Sequence, residues 1–190
     1  LGAELDQLRH LVAGQVFLAM GDHGLGAQTR ILLDDEQLHR LTGFLVRDAD
    51  RQVLEAVAEA VPRGLRLPIV YNTSGYDALA SLKLLDGIVD IYLPDLKYDN
   101  AEMGYRYSGV KDYPRHAHAA LLEMHRQVGS ELEVGEDGLV KRGLIIRHLV
   151  IPGKTENSKA VLRWIAEHLS VNVHISLMSQ YHPTEKVKDH

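Results

Sequence analysis

Polar or glycine-containing turns follow each of four predicted strands, and they carry the side chains best suited to hold a ligand. The turns are 72–74, 95–97, 152–153 and 180–182. In parallel β/α architectures, ligands bind where the carboxyl ends of the strands lead into the helices. We therefore expect these four turns to converge on one edge of a sheet and to form a binding site there.

Two charged residues stand inside strands whose other residues are apolar. Arg147 lies within residues 144–150, and Asp90 lies within residues 88–93. The apolar flanks of Arg147 predict burial on both faces of its strand, and a buried guanidinium requires an anion. Two interpretations stay open. Arg147 and Asp90 pair with each other in the core, or Arg147 binds an anionic ligand.

The elements that position these residues alternate between short β-branched runs and longer helical patterns from about residue 48, which is typical of βα units. The predicted strands are 67–71, 88–93, 143–151 and 171–177, and the predicted helices are 53–61, 77–85, 114–128 and one capped by Asn157. The tyrosine-rich segment 98–113 is interpreted as a loop. Residues 1–47 have a weaker hydrophobic pattern, which indicates only a candidate strand at 15–20 and a candidate helix at 36–45.

Four segments resemble one known family in the order in which they occur. They are 67–76, 90–98, 146–153 and 177–183. Over about residues 51–185 the chain resembles the radical S-adenosylmethionine (SAM) enzymes of the pyruvate formate-lyase-activating type, especially an uncharacterised branch of them. The resemblance implies an α/β fold, in which residues 51–190 are the C-terminal part of a (β/α) barrel truncated at its N-terminal side. Residues 1–50 match the family poorly.

The resemblance also implies a function. Enzymes of this family bind SAM against a [4Fe–4S] cluster, cleave it reductively and direct a 5′-deoxyadenosyl radical at a substrate, which in the activases is a glycine of a partner protein. The SAM-contacting positions that it implies are Thr73, Ser74, Asp95, Lys97, Arg147 and His182. Among them, Lys97 would lie near the carboxylate or ribose of SAM, Arg147 would face its carboxylate, and His182 would contact the adenosine or ribose.

The chain contains no cysteine, so the Cys-x-x-x-Cys-x-x-Cys motif of the family is absent. Iron–sulfur clusters are held by cysteine thiolates. We therefore expect no catalytic residue in this chain, and we interpret it as a truncated piece of an enzyme whose full-length form carries the cluster. A glycyl radical protein is the partner that the resemblance implies for that full-length form.

Other features of the sequence suggest other functions. The 11 histidines suggest a metal-dependent hydrolase, but His116 and His118 lie on different faces of a helix, and His118 and His125 lack a predicted strand-end carboxylate beside them. The glycine-rich segment 21–26 lacks the lysine of a phosphate-binding loop. A cofactor-less, partner-binding remnant of a barrel stays open, and its exposed strand edges would favour self-association.

Composition limits the partners. The net charge of −5 comes from 26 acidic and 21 basic residues scattered along the chain, so no basic stripe is available for nucleic acid. The sequence has no apolar run long enough to span a membrane and no signal peptide pattern. The default expectation is a cytoplasmic protein.

Overall fold

The computed structural model describes the backbone of residues 15–18 and 48–179, and the side chains of residues 54–179. This part of the chain has a mixed α/β fold. Its elements, in chain order, are β1 Gln15–Leu18, α1 Asp48–Ala60, β2 Ile69–Thr73, α2 Leu79–Leu84, β3 Ile91–Pro94, α3 Ala101–Ser108, α4 Tyr113–Val128, β4 Glu133–Val134, β5 Val140–Leu149, α5 Thr155–His168 and β6 His174–Met178.

The strands form one mostly parallel sheet. Its order is β1-β2-β3-β5-β4, and β6 pairs with β5 as well. Strands β2, β3, β5 and β6 run parallel to one another, whereas β1 pairs antiparallel with β2 and β4 with β5. The carboxyl ends of the four parallel strands therefore share one edge, as the sequence predicted.

Helix α4 illustrates how local sequence determines an element. Pro114 stands at its first turn, where a missing N–H costs nothing, and Gly129 ends it with φ +77°. Between them, Ala117, Leu121 and Met124 recur at helical spacing and are fully buried. This confirms the predicted helix and its predicted core-facing side.

Several element boundaries differ from the predictions. Strand β2 begins at Ile69, after Pro68, which cannot donate a backbone hydrogen bond to a strand. Strand β3 begins at Ile91, because the amides of Ile88 and Val89 are bonded to the carbonyl of Leu85 in the turn that follows α2. These apolar residues are buried in that turn rather than in a strand.

Two helical assignments were wrong. The tyrosine-rich segment contains helix α3. Asn100 caps its start, because the Asn100 side chain accepts a hydrogen bond from the Met103 amide at 2.9 Å. The helix ends at Gly109, which has φ +71°. Asn157 is not the cap of α5. That helix begins at Thr155, so Asn157 lies in its first turn, where its side chain is used elsewhere.

The two faces of the sheet differ in burial. On β5, Leu144, Ile146 and His148 are fully buried beneath helices, whereas Ile145 and Arg147 are half-buried. We call the first the helix-covered face and the second the open face. The predicted burial of β5 on both faces is therefore wrong, because side chains of a strand alternate and the described helices cover only one side.

The predicted alternative in which Arg147 pairs with Asp90 in the core is also wrong. Asp90 lies just before β3, at the amino end of the sheet, and its Oδ2 accepts a hydrogen bond from the Ile69 amide at 2.8 Å. Burial raises the pKa of Asp90 above its ordinary value. Arg147 lies near the other end of β5, where it meets a different carboxylate.

Within residues 15–18 and 48–179, no helix is both long and apolar enough to cross a bilayer. The longest helix, α4, has 16 residues, and a spanning helix needs about 20 apolar ones.

Candidate functional site

Three charged side chains meet at the carboxyl edge of the sheet. Arg147 donates to Asp95 Oδ1 through Nη2 at 2.7 Å and through Nε at 2.8 Å, and Lys97 Nζ lies 3.6 Å from Asp95 Oδ2. One carboxylate between two cations leaves this group with a net positive charge. We call Asp95, Lys97 and Arg147 the anion site, because its guanidinium and ammonium keep donors that Asp95 does not use.

Exposure suits these side chains to binding rather than to core structure. The side chain of Arg147 is 27% exposed, that of Asp95 18% and that of Lys97 38%. They are desolvated enough for charged hydrogen bonds to be stronger than in bulk water, yet still open to a small solute. A small anion such as a carboxylate is the ligand class that this arrangement favours.

Strand register brings Asp95 and Arg147 together. Asp95 and Arg147 form a parallel bridge, and the Leu96 amide donates to the Arg147 carbonyl at 2.9 Å. On the other side, the Asp95 amide donates to the Thr73 carbonyl at 2.9 Å. The anion site is therefore a continuation of the sheet ladder beyond the end of β3, and its backbone is hydrogen-bonded to a neighbouring strand on each side.

Gly75 allows the turn after β2 to approach this ladder. Its φ is +77°, and a Cβ at this position would lie 2.1 Å from the Asp95 carbonyl oxygen. Any side chain would force the two segments apart. A left-handed backbone and a close approach together therefore require glycine here.

Thr73 and Ser74, both predicted to contact the cofactor, lie in that turn with different environments. Thr73 is buried, and its hydroxyl donates to Asp77 Oδ2 at 2.6 Å while accepting from the Gly75 amide at 3.2 Å. Ser74 has an exposed side chain, and its carbonyl accepts from the Tyr113 hydroxyl at 3.0 Å. Thr73 thus shapes the turn, and of the two hydroxyls Ser74 presents the exposed one.

Tyr113 is a residue of the site that sequence reasoning did not single out. It is buried at the start of α4, and its hydroxyl accepts from the Lys97 amide at 3.0 Å. It lies 3.1 Å from the Asp95 carbonyl, to which it donates as well. Burial strongly raises the pKa of Tyr113, so the hydroxyl keeps its proton. The sequence placed it only among loop tyrosines.

Asn157 and His148 hold the same segment from the side of α5. Asn157 accepts from the Asp99 amide at 3.1 Å and donates to the Lys97 carbonyl at 3.0 Å. His148 lies 2.6 Å from the Leu96 carbonyl through Nδ1 and 2.8 Å from Ser158 Oγ through Nε2. Because a carbonyl only accepts, Nδ1 carries a proton, and in the neutral ring Nε2 accepts from the serine.

No group of three or more histidine, aspartate or glutamate side chains within the described residues could hold a metal ion. The carboxylate near His118 is that of Asp99, in the segment between β3 and α3, with Nε2 3.8 Å from Asp99 Oδ1. Its ring stacks on Trp164 with centroids 3.9 Å apart, and burial lowers the pKa of His118. His125 is bonded to Ser130 instead.

Other predicted features lie outside the described residues. These are His182 with the turn 180–182, the glycine-rich segment 21–26 and the candidate helix 36–45. The candidate strand at 15–20 corresponds to β1, Gln15–Leu18.

Comparison with known proteins places the chain next to one uncharacterised relative. No family model matches this chain, and no solved structure matches it significantly. Over 125 residues, 65% of the chain, it is 31% identical to an uncharacterised protein of Methanocaldococcus jannaschii, and the matched stretch covers 32% of that protein. The chain thus matches about a third of the length of this relative, whose activity is not known.

Proposed function

We propose that residues 51–190 form the SAM-contacting, C-terminal part of a radical SAM protein of the pyruvate formate-lyase-activating type, arranged as part of a (β/α) barrel. The observation that carries the proposal is the anion site of Asp95, Lys97 and Arg147, at the carboxyl edge of a mostly parallel sheet. It stands on the open face, which would be the interior of a barrel. Ligands of parallel β/α folds bind at this edge.

The residues fit the amino-acid end of SAM. Arg147 and Lys97 would hold its carboxylate, since both have donors left over from Asp95. Asp95 would keep both cations in place and accept a hydrogen bond from the ligand. The exposed hydroxyl of Ser74 lies on the adjoining turn. Thr73, whose hydroxyl is engaged with Asp77, would support that turn rather than touch the ligand.

The residues do not fit an iron–sulfur cluster. The chain has no cysteine, and iron–sulfur ligation needs thiolates. Without a cluster, this chain alone supplies no radical step. The chemistry is proposed for a longer protein in which cluster cysteines precede this region, with a glycyl radical protein as its partner. The match covers 32% of the M. jannaschii relative, so that protein is long enough to include a further region of this kind.

SAM affinity tests the proposal directly. We would measure binding of labelled SAM by equilibrium dialysis at concentrations up to about 1 mM, for the native chain and for Arg147→Ala and Lys97→Ala. Each variant should bind at least about tenfold more weakly, because a hydrogen bond to a charged group contributes about 1.5–3 kcal/mol.

Matched controls remove exposed charges elsewhere. Arg63→Ala and Lys159→Ala each delete a cation from an exposed ion pair, the first in the turn after α1 and the second on α5, and both should leave SAM affinity unchanged. The assignment is wrong if the native chain does not bind SAM. It is also wrong if Arg147→Ala and Lys97→Ala both bind SAM as tightly as the native chain does.

The coding sequence upstream of Leu1 tests the cluster. An in-frame Cys-x-x-x-Cys-x-x-Cys motif would support the proposal, and anaerobic reconstitution of the longer protein should then yield the absorbance of a [4Fe–4S] cluster. An upstream sequence without cysteines would exclude the radical mechanism.

A second candidate function is partner binding without a cofactor, favoured by β6. Among the described residues this strand pairs only with β5, and its Ile175 and Leu177 side chains are exposed. Such a strand edge is a template for pairing with another chain. Light scattering across a concentration series would favour this function if the chain self-associates and binds no SAM.

A further inference from the structure

Among the described residues, the hydroxyl of Tyr113 is hydrogen-bonded only to backbone atoms of the two segments that build the anion site. It accepts from the Lys97 amide at 3.0 Å and lies within donating distance of the Ser74 carbonyl at 3.0 Å and the Asp95 carbonyl at 3.1 Å. The two carbonyls belong to the exits of β2 and β3. A side chain of α4 thus joins the exits of β2 and β3, which in the described part of the chain are linked to each other by no ladder hydrogen bond beyond the one from the Asp95 amide to the Thr73 carbonyl.

The contact is limited by the number of hydrogen bonds that the Tyr113 hydroxyl can make. A tyrosine hydroxyl has one proton, so it is shared between the two carbonyls while a lone pair accepts from Lys97. The raised pKa of Tyr113 keeps this proton in place across the ordinary pH range. The ring is held by stacking on Tyr76, with centroids 6.1 Å apart, and by the edge of Tyr98 at 5.3 Å.

The positions that Tyr113 holds are the ones from which the anion site extends. The side chains of Asp95 and Lys97 leave this backbone to meet each other and Arg147. Their far side is already anchored, since Asn157 binds the Lys97 carbonyl. Without the hydroxyl, the near side would lose the donor to two carbonyls and the acceptor of one amide.

We infer that Tyr113 is a positioning residue of the anion site, whose hydroxyl sets the geometry of Asp95 and Lys97 relative to Arg147 and thereby the affinity for a ligand carboxylate. The identity of that ligand as SAM rests on the proposed function. The positioning role itself does not.

Nuclear magnetic resonance of the free chain tests the positioning role without any ligand. Tyr113→Phe removes the hydroxyl and keeps the ring, and Tyr98→Phe is the matched control, because the Tyr98 hydroxyl is bonded to Ser108 rather than to the strand exits. In Tyr113→Phe the Nε–H signal of Arg147, which donates to Asp95, should shift and the Lys97 amide should exchange several-fold faster.

In Tyr98→Phe both signals should stay as in the native chain. An unchanged Arg147 signal in a folded Tyr113→Phe protein would overturn the inference. If that variant does not fold, the native chain still decides, since a slowly exchanging Tyr113 hydroxyl proton with a cross-peak to the Lys97 amide is required and its absence would refute the role.

Binding of two related nucleosides then separates positioning from general loosening. SAM carries a carboxylate, and 5′-methylthioadenosine lacks it. Tyr113→Phe should bind SAM about three- to tenfold more weakly and 5′-methylthioadenosine as well as the native chain does. Equal weakening of both would contradict the inference. Failure of the native chain to bind SAM would refute the proposed function, and the resonance result would stand apart from it.

Discussion

Two adjacent residues near the end of β5 show how the two faces of the sheet differ. His148, on the helix-covered face, is fully buried and both of its ring nitrogens are bonded within the protein. Arg147, on the open face, is partly exposed and shares one carboxylate with Lys97. Because side chains of a strand alternate, one step along the chain separates a residue that holds the fold from one that is available to a ligand.

Other polar groups on the two faces of the sheet differ in the same way. On the helix-covered face, Tyr92 donates to Gln127 and Thr73 donates to Asp77, so buried donors are matched by acceptors. On the open face, the anion site has more cationic donors than Asp95 can satisfy. Substitutions on the first face should therefore reduce stability, and substitutions on the second should reduce binding.

The largest expected effect comes from a pair of neighbouring isoleucines. Ile146→Ala removes a fully buried side chain and should lower the free energy of unfolding by about 2–5 kcal/mol. Ile145→Ala, on the half-buried open face, should lower it by about 1 kcal/mol. Urea denaturation of both variants measures the difference, and equal losses would show that the faces are equally packed.

Two glycines with the same backbone conformation test the tight approach at the site. Gly75→Ala meets the Asp95 carbonyl, whereas Gly138→Ala, with φ +76°, meets nothing within 4 Å. Both should lose about 1 kcal/mol for the left-handed backbone, and Gly75→Ala should lose about 2 kcal/mol more because the turn must move. Similar urea midpoints for the two variants would argue against a rigid contact.

The comparison between His148 and Arg147 is itself testable. His148→Ala leaves the Leu96 carbonyl and the Ser158 hydroxyl without their buried partner and should cost about 2–3 kcal/mol of stability. Arg147→Ala leaves Asp95 with Lys97 and should cost about 1 kcal/mol. The reverse order in thermal or urea unfolding would mean that the ion pair, rather than the histidine, holds the end of β5.

The smallest expected effect concerns pH. Burial lowers the pKa of His118 below its ordinary 6.5, with Asp99 opposing this and His168 adding to it. The unfolded chain then binds a proton that the folded chain does not, so this contribution to stability is present above about pH 6.5 and is lost as the pH falls through the lower folded value. His118→Phe, which can still stack on Trp164, should show a smaller loss of stability between pH 7.5 and 5.5 than the native chain, and an equal loss would contradict it.

Much of the fold could be predicted because its signals are local. The buried face of α4, its end at Gly129 and the four parallel strands follow from spacing and from turn residues within a few positions of each other. Helix α3 was missed because the tyrosines at 98, 105, 107 and 113 were interpreted as a loop, and the main signal of this short helix is the cap Asn100. A short helix with a weak pattern is stabilised mainly by packing.

The candidate site was predictable in place but not in its contacts. The turns after β2 and β3 and the charge of Arg147 are visible in the sequence, and the parallel direction of the predicted strands is enough to gather them at one edge. The partner of Arg147 was assigned to Asp90 as one alternative. Asp95 takes that place because it, and not Asp90, aligns with Arg147 in the parallel register.

The sequence alone therefore determined the order of the described elements apart from α3 and β4, the edge of the sheet that carries the turns after β2 and β3, and the absence of cysteine. Only the tertiary structure decided which face of β5 is covered, which carboxylate neutralises Arg147 and how Tyr113 holds the strand exits. The physical reason is range. Periodicity and turn chemistry act over a few residues, whereas register and helix packing join atoms that lie 16 to 52 positions apart.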